Sequence, residues 1–137
     1  MAIRLDPAIT AVAVGVGTDL LAVSRIEAVL ERTGERFVRR ILTAAERELW
    51  QQRRGSANFL AKQFAAKEAI AKALGTGIGA GVSFQQMEVL RSAAGAPEVR
   101  LSGAAAAHLA RLGGEQVLLS LSDDNGLILA FAVLSRR

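Results

Sequence analysis

The chain has no cysteine. That excludes disulfides, a thiolate metal site and a cysteine nucleophile, and it suits a cytoplasmic protein. Its one histidine is His108. A histidine-rich metal cluster is therefore excluded, and little room is left for a Ser-His-Asp triad. His108 lies in an Ala-rich stretch beside Leu109 and reads as structural. No run is apolar enough for a membrane span. The most apolar N-terminal run, Ala11 to Val23, is interrupted by Gly15, Gly17 and Asp19 and falls short of the roughly 20 residues a span needs. A signal peptide is not expected either, because Arg4 is accompanied by Asp6 and Pro7 and the apolar stretch leads directly into patterned sequence. There is no internal repeat, no linker and no biased segment beyond Ala104 to Ala107.

What is present is a 137-residue chain that is 51% hydrophobic, with a formal net charge of +4. It fits one domain, residues 1–137, with a core of useful size and residues 1–10 as a loose leader. The positive charge is mostly arginine and it clusters. Arg25 precedes Arg32, Arg36, Arg39 and Arg40, and Arg47, Arg53 and Arg54 follow. Such a patch attracts an acidic partner. Glu27, Glu31, Glu35, Glu46 and Glu48 are interspersed, which argues against plain nucleic-acid binding. A basic module that docks an acidic protein or nucleic acid without catalysis remains the alternative to an enzyme at this point.

Local signals predict an α+β chain: an N-terminal strand, a helical block with one long helix, then a small antiparallel sheet crossed by one helix. Ala11 to Val16 reads as a buried strand ending in Gly-Val-Gly, with Thr18-Asp19 at its C-terminal end. Ser24 and Glu27 have capping-box spacing and predict a helix to about Thr33, stopped by Gly34. A short helix over Glu35 to Arg40 is followed by a second capping box, Thr43 and Glu46, opening a helix that ends near Gly55. The long helix runs from about Ala57 to Leu74, with Leu60, Phe64, Ala71 and Leu74 as its core stripe and Gly75 just past its end. Gly75 to Gly81 reads as a flexible loop. Strands are expected at Phe84 to Arg91, Glu98 to Leu101, Gln116 to Ser122 and Leu127 to Leu134, the last three antiparallel. Ser102 is expected to cap an Ala-rich helix before Gly113-Gly114. Asp123-Asp124-Asn125-Gly126 reads as the hairpin turn.

The chemistry-bearing candidates follow from this layout. Glu68 and Lys72 are four residues apart on the long helix and share a face with Ala61 and Ala65. A carboxylate and an ammonium on a surface of small side chains suit a metal-bound phosphate; an ordinary i,i+4 helix pair is the other reading. Asp19 follows an apolar strand and precedes Leu20 and Leu21. An acid so bracketed needs a partner or a metal, unless it forms an Asx turn or a helix cap. The Gly75–Gly81 loop could wrap a phosphate with backbone N–H groups. It has a helix before it and a strand after it, so it is neither a dinucleotide fingerprint nor a P-loop.

Several segments together resemble a known family. Gly15-Val16-Gly17-Thr18-Asp19-Leu20 is similar to its first motif. Phe59-Leu60-Ala61, then Phe64-Ala65-Ala66-Lys67-Glu68-Ala69 with Lys72-Ala73, is similar to its second. Gly75-Thr76-Gly77-Ile78, Ser83-Phe84, Gly95-x-Pro97 and Ser120-x-Ser122-Asp123 follow in the family's order. The family is the holo-[acyl-carrier-protein] synthases, the short bacterial 4′-phosphopantetheinyl transferases, and the resemblance spans about residues 13 to 134.

The resemblance implies the 4′-phosphopantetheinyl transferase fold and a Mg²⁺-dependent transfer of 4′-phosphopantetheine from coenzyme A to a serine of apo acyl carrier protein. It implies Asp19 and Glu68 as metal ligands, and Lys72 at the pyrophosphate, where it and Glu68 serve catalysis. Gly75, Thr76 and Gly77 would lie along the nucleotide. The family usually has a basic residue at the position of Gln63; here Lys62 stands one place earlier and is counted among the coenzyme A contacts. Arg25, Arg36 and Arg40 match the family's docking region for the acidic carrier. A homotrimer with the coenzyme A site between subunits is also implied. The general base stays open between a bound water and a carboxylate such as Glu68.

Overall fold

The computed structural model describes residues 12–137; the expected leader, residues 1–10, lies outside them. The order is β1 (Ala13–Ala22), α1 (Val23–Thr33), α2 (Glu35–Ile41), α3 (Ala44–Gln52), α4 (Ala57–Ala73), a 3-10 turn (Phe84–Gln86), β2 (Met87–Arg91), β3 (Pro97–Leu101), α5 (Gly103–Arg111), β4 (Gln116–Asp124) and β5 (Leu127–Ser135). The α+β class and the strand–helical block–sheet order are as the sequence predicts. No helix among the described residues is long and apolar enough to cross a membrane.

The sheet is β1-β5-β4, antiparallel throughout, and β2-β3 forms a separate antiparallel pair. The antiparallel pairing expected of the last three strands is present, but β3 does not share a sheet with β4 and β5. β3 touches β4 but ladders only with β2, and the free edge of β5 takes β1. The expected strand at Phe84 begins instead with the 3-10 turn. Strand β4 includes Asp123 and Asp124, so the turn is Asn125-Gly126 alone. Both turn residues have φ above zero, +53° and +77°, as a two-residue type I′ hairpin requires.

β1 also departs from expectation. It does not stop at Gly17 but continues through Asp19, opposite Ala130, to Ala22, opposite Leu127. Pairing with β5 carries it past the glycines. The same pairing overrides the predicted Ser24–Glu27 box: α1 starts at Val23, Ala22 stands at the N-cap with no side-chain bond, and the Val23 N–H donates to the Gly126 carbonyl (2.9 Å). The Thr43–Glu46 box is present in full. Ser102 stands at the N-cap of α5 without a side-chain bond.

α4 is enclosed on most sides. Leu60, Ala61, Ala65, Ala66, Ala69, Ile70 and Ala71 are all fully buried, so the expected single stripe is too narrow. Ala61 and Ala65 are core residues against which neighbours pack, not a ligand approach. The small residues let the sheet lie close. A Cβ on Gly15 would meet the Ala73 carbonyl, and one on Gly17 the Ala69 carbonyl and Ala73 nitrogen. Alternation in β1 follows: Gly17, Asp19 and Leu21 face α4, with Ala132, Ala130 and Ile128 of β5 opposite them.

α4 ends in a Schellman motif. Gly75, at φ +80°, donates to Lys72 O (2.9 Å), and Thr76 donates to Ala71 O (3.3 Å).

Candidate active site

Adjacent β1 and α4 bring Asp19 and Glu68 to one place. Lys72, one turn beyond Glu68, reaches across to β1, donating to Thr18 O (2.9 Å) and Asp19 Oδ1 (3.2 Å). The Glu68–Lys72 helix pair considered above does not form; the ammonium is bound to Asp19. The Asp19 side chain is 17% exposed and that of Lys72 is 53% exposed. Burial first, and then the Asp19 charge, push the Glu68 carboxyl above the usual glutamate value, while Lys72 and Arg25 pull it down. Two acids held together at this cost suit a divalent cation. Among the described residues there is no group of three or more His, Cys, Asp or Glu able to hold a metal. Mg²⁺ commonly takes one or two carboxylates, with phosphate and water in its other positions, and the Asp19–Glu68 pair fits that pattern.

Glu68 opens onto a cleft of about 370 Å³ lined also by Arg25, Phe37, Arg40, Phe64, Ile78 and Phe84. Phe64 stacks on Phe84, with centroids 5.6 Å apart, and the Arg40 guanidinium lies 5.8 Å from the Phe84 ring centroid. Ile78 brings the glycine loop to the same cleft. Gly75, Gly77 and Gly79 all have positive φ, and nothing lies within 4 Å of a Cβ built on any of them. That leaves an open approach along the loop. The Thr76 hydroxyl is committed to Gly77 O (2.8 Å). Arg36 lines an adjoining hollow that shares Val29, Phe37 and Arg40 with the cleft. All three candidate docking arginines therefore lie on this side.

Lys62 is elsewhere. It pairs with Asp123 (3.3 Å) in a second cleft with Arg53, Arg91 and Ser120. Hydrogen bonds from Asn58 and then Lys62 hold the Asp123 carboxyl below its usual range. Gln63 does not face a ligand at all. It is fully buried, donating to Glu46 and Val89 O and accepting from Arg91 Nη2 (2.9 Å). The departure from the family's basic residue at position 63 therefore lies in the interior, where a neutral amide with both ends satisfied is at home. Arg91, its guanidinium 5.3 Å from the Phe59 centroid, carries the positive charge toward the second cleft. No local sequence signal marks it. His108 is half-buried and its ring lies 3.5 Å from Arg111, away from both clefts.

The model of the 4′-phosphopantetheinyl transferase superfamily matches residues 15–132. The chain belongs to that superfamily. It is thereby an enzyme of the phosphopantetheinyl transferase class, and the resemblance read in the sequence is borne out. The holo-[acyl-carrier-protein] synthase of Photorhabdus laumondii is 48% identical over 123 residues, 90% of this chain and 98% of the relative. The crystal structure of the Neisseria meningitidis holo-[acyl-carrier-protein] synthase superposes with a TM-score of 0.81 at 41% identity, covering 90% of this chain and 99% of that one. The Helicobacter pylori holo-[acyl-carrier-protein] synthase, solved in complex with coenzyme A, gives 0.77 at 31% identity, covering 88% and 99%. These likenesses also bear out the transferase fold.

Proposed function

We propose that this chain transfers 4′-phosphopantetheine from coenzyme A to a serine of an apo acyl carrier protein, releasing adenosine 3′,5′-bisphosphate, with Mg²⁺ held by Asp19 and Glu68. The observation that carries the reading is the meeting of those two acids and Lys72 at the junction of β1 and α4. Coenzyme A as donor is supported by the Helicobacter pylori relative, which binds it. The serine oxygen attacks the phosphorus bearing pantetheine, and the bond from that phosphorus to the bridging oxygen breaks. The serine proton passes to a bound water or to a carboxylate such as Glu68. Bound Mg²⁺ would offset the negative charge of the pyrophosphate during transfer.

Lys72 gives two of its three N–H donors to Thr18 O and Asp19 Oδ1; the third is available to a phosphate oxygen of the leaving nucleotide. Gly75, Thr76 and Gly77 offer backbone along which the nucleotide can lie. Lys62, in the second cleft with Arg53 and Arg91, is a further cationic contact for coenzyme A. Arg25, Arg36 and Arg40 dock the acidic carrier, acting mainly on association rate.

The working particle is a homotrimer. The outer face of the sheet carries Val16, Leu20, Leu118, Leu129 and Phe131, each at least 42% exposed, and a contiguous apolar face of this kind marks an interface. The reaction belongs to the cytoplasm.

The test is to incubate the protein with coenzyme A and an apo carrier, with Mg²⁺ or with EDTA. The carrier is then weighed intact and the released nucleotide identified by chromatography. A phosphopantetheinyl gain only with Mg²⁺, matched by adenosine 3′,5′-bisphosphate, supports the reading. Several unmodified carriers at high enzyme and Mg²⁺ would refute it.

A further inference from the structure

Lys67 is a buried charge that this chemistry leaves unused. It precedes Glu68 on α4, yet its ammonium is fully excluded from solvent. All three of its N–H donors are taken: by Glu46 Oε1 (2.7 Å), by the Phe84 carbonyl (3.0 Å) and by the Ile41 carbonyl. These acceptors belong to three different elements: α3, the 3-10 turn and the end of α2. Glu46 is equally committed, accepting from the Thr43 and Val89 amides and from Gln63. Apolar residues of similar volume often hold a core as well as a buried ion pair does, so bulk stability is a weak reason for these charges. Directional hydrogen bonds to two carbonyls are something an apolar side chain does not supply.

The two carbonyls have a particular place. Ile41 and Phe84 line the Glu68 cleft, Arg40 is bonded to Ile41 along the chain, and the Arg40 guanidinium rests over Phe84. Glu68 and Phe64 of α4 line the same cleft, and the Phe64 ring stacks on Phe84. Lys67 thus ties the arginine-bearing wall to the helix that carries Glu68. The same corner has an independent tie, Gln85 Nε2 to the Arg39 and Leu42 carbonyls (2.8 Å each), so its local folding does not hang on Lys67 alone.

We propose that Lys67 is a positioning residue: by holding the backbone at Ile41 and Phe84, it sets the position of Arg40 and Phe84, where the acidic carrier docks, relative to Glu68 in the same cleft. The inference rests on the transfer reading above. The test compares the parent protein with Lys67→Met/Glu46→Gln, which removes both buried charges together, and with Lys67→Gln. Thermal unfolding reports the fold. Steady-state transfer gives KM for apo carrier and for coenzyme A separately. Calorimetry with a carrier whose acceptor serine is alanine gives docking affinity without turnover. A folded variant should raise the carrier KM and weaken docking about tenfold, the size expected of a misplacement under about 1 Å, while the coenzyme A KM stays within about twofold.

Unchanged carrier KM and affinity in a folded variant would overturn the proposal, as would an equal rise in both KM values. If neither variant folds, Lys67 is structural and the proposal is also overturned. An inactive parent protein would sink the transfer reading itself, whereas an active parent with unshifted variants sinks only the role of Lys67.

Discussion

Gly17→Ala tests how the fold sets the site. The added Cβ would sit on the Ala69 carbonyl, 2.6 Å from the Ala73 nitrogen and 3.1 Å from the Lys72 Cβ. The first two are helix backbone, which cannot rotate away as a side chain can. Restoring ordinary contact, which begins near 3.4 Å, requires β1 and α4 to part by about 1 Å. Overpacking of this kind costs roughly 1–3 kcal/mol, and for a chain of this length each kcal/mol lowers Tm by about 3–5 °C. The same displacement reaches the chemistry. Asp19 is two residues along the same face of β1, and Glu68 and Lys72 flank the clash on α4. A shift near 1 Å at such a site can lower turnover about 100-fold. Thermal unfolding by circular dichroism and the carrier mass assay read the two effects together. A Tm within about 1 °C of the parent with turnover within about twofold would refute the reasoning, because close packing at Gly17 would then not set the Asp19–Glu68 spacing.

Three further outcomes are expected. Glu68 has a raised pKa in the fold, so its contribution to stability is present below the ordinary glutamate value of 4.5 and is lost as pH rises through the raised value. Glu68→Gln should therefore flatten that decline and stabilise the metal-free protein at pH 7 by less than about 1 kcal/mol, the side chain being partly solvated; a urea midpoint no higher than the parent's would contradict this. Arg25→Glu and Arg40→Glu should each raise the carrier KM about tenfold at low ionic strength, with the gap to the parent narrowing at about 0.5 M salt, and a salt-independent gap would count against electrostatic docking. Phe131→Asp, in the middle of the outer sheet face, should convert a trimer to monomers in sedimentation velocity, and a parent protein that already sediments as a monomer would remove the case for that interface.

What could be read from the sequence was whatever local chemistry decides. The Thr43–Glu46 box, the Gly34 stop and the Gly75 cap are each set within a few residues, and the structure has them all, while the Asp123–Gly126 turn is present but shortened to Asn125-Gly126. Glu68 and Lys72 could be placed on one helix because α4 is long and Ala-rich. The misreadings share one cause, pairing between distant segments. β1 outruns its glycines because β5 pairs with it to Ala22, and the Ser24–Glu27 box loses to the Gly126 carbonyl. Lys72 turns from Glu68 to Asp19 because close packing of β1 brings a carboxylate from far along the chain. The alanines of α4 are core because the sheet needs small partners. Lys67 and Gln63 are interior because Glu46, on another helix, satisfies both, and no spacing in the sequence reports that meeting.

The claim that Asp19 and Glu68 form one magnesium site is tested most directly by a double-mutant comparison. Transfer to an apo carrier would be measured across Mg²⁺ concentrations for the parent, Asp19→Asn, Glu68→Gln and the double variant, all checked for folding. Residues that act as a unit are far from additive. The account predicts that each single change lowers turnover at least about 100-fold and that the double change is little worse than either. Near-parent turnover in a folded single variant, or losses that multiply in the double variant, would contradict it.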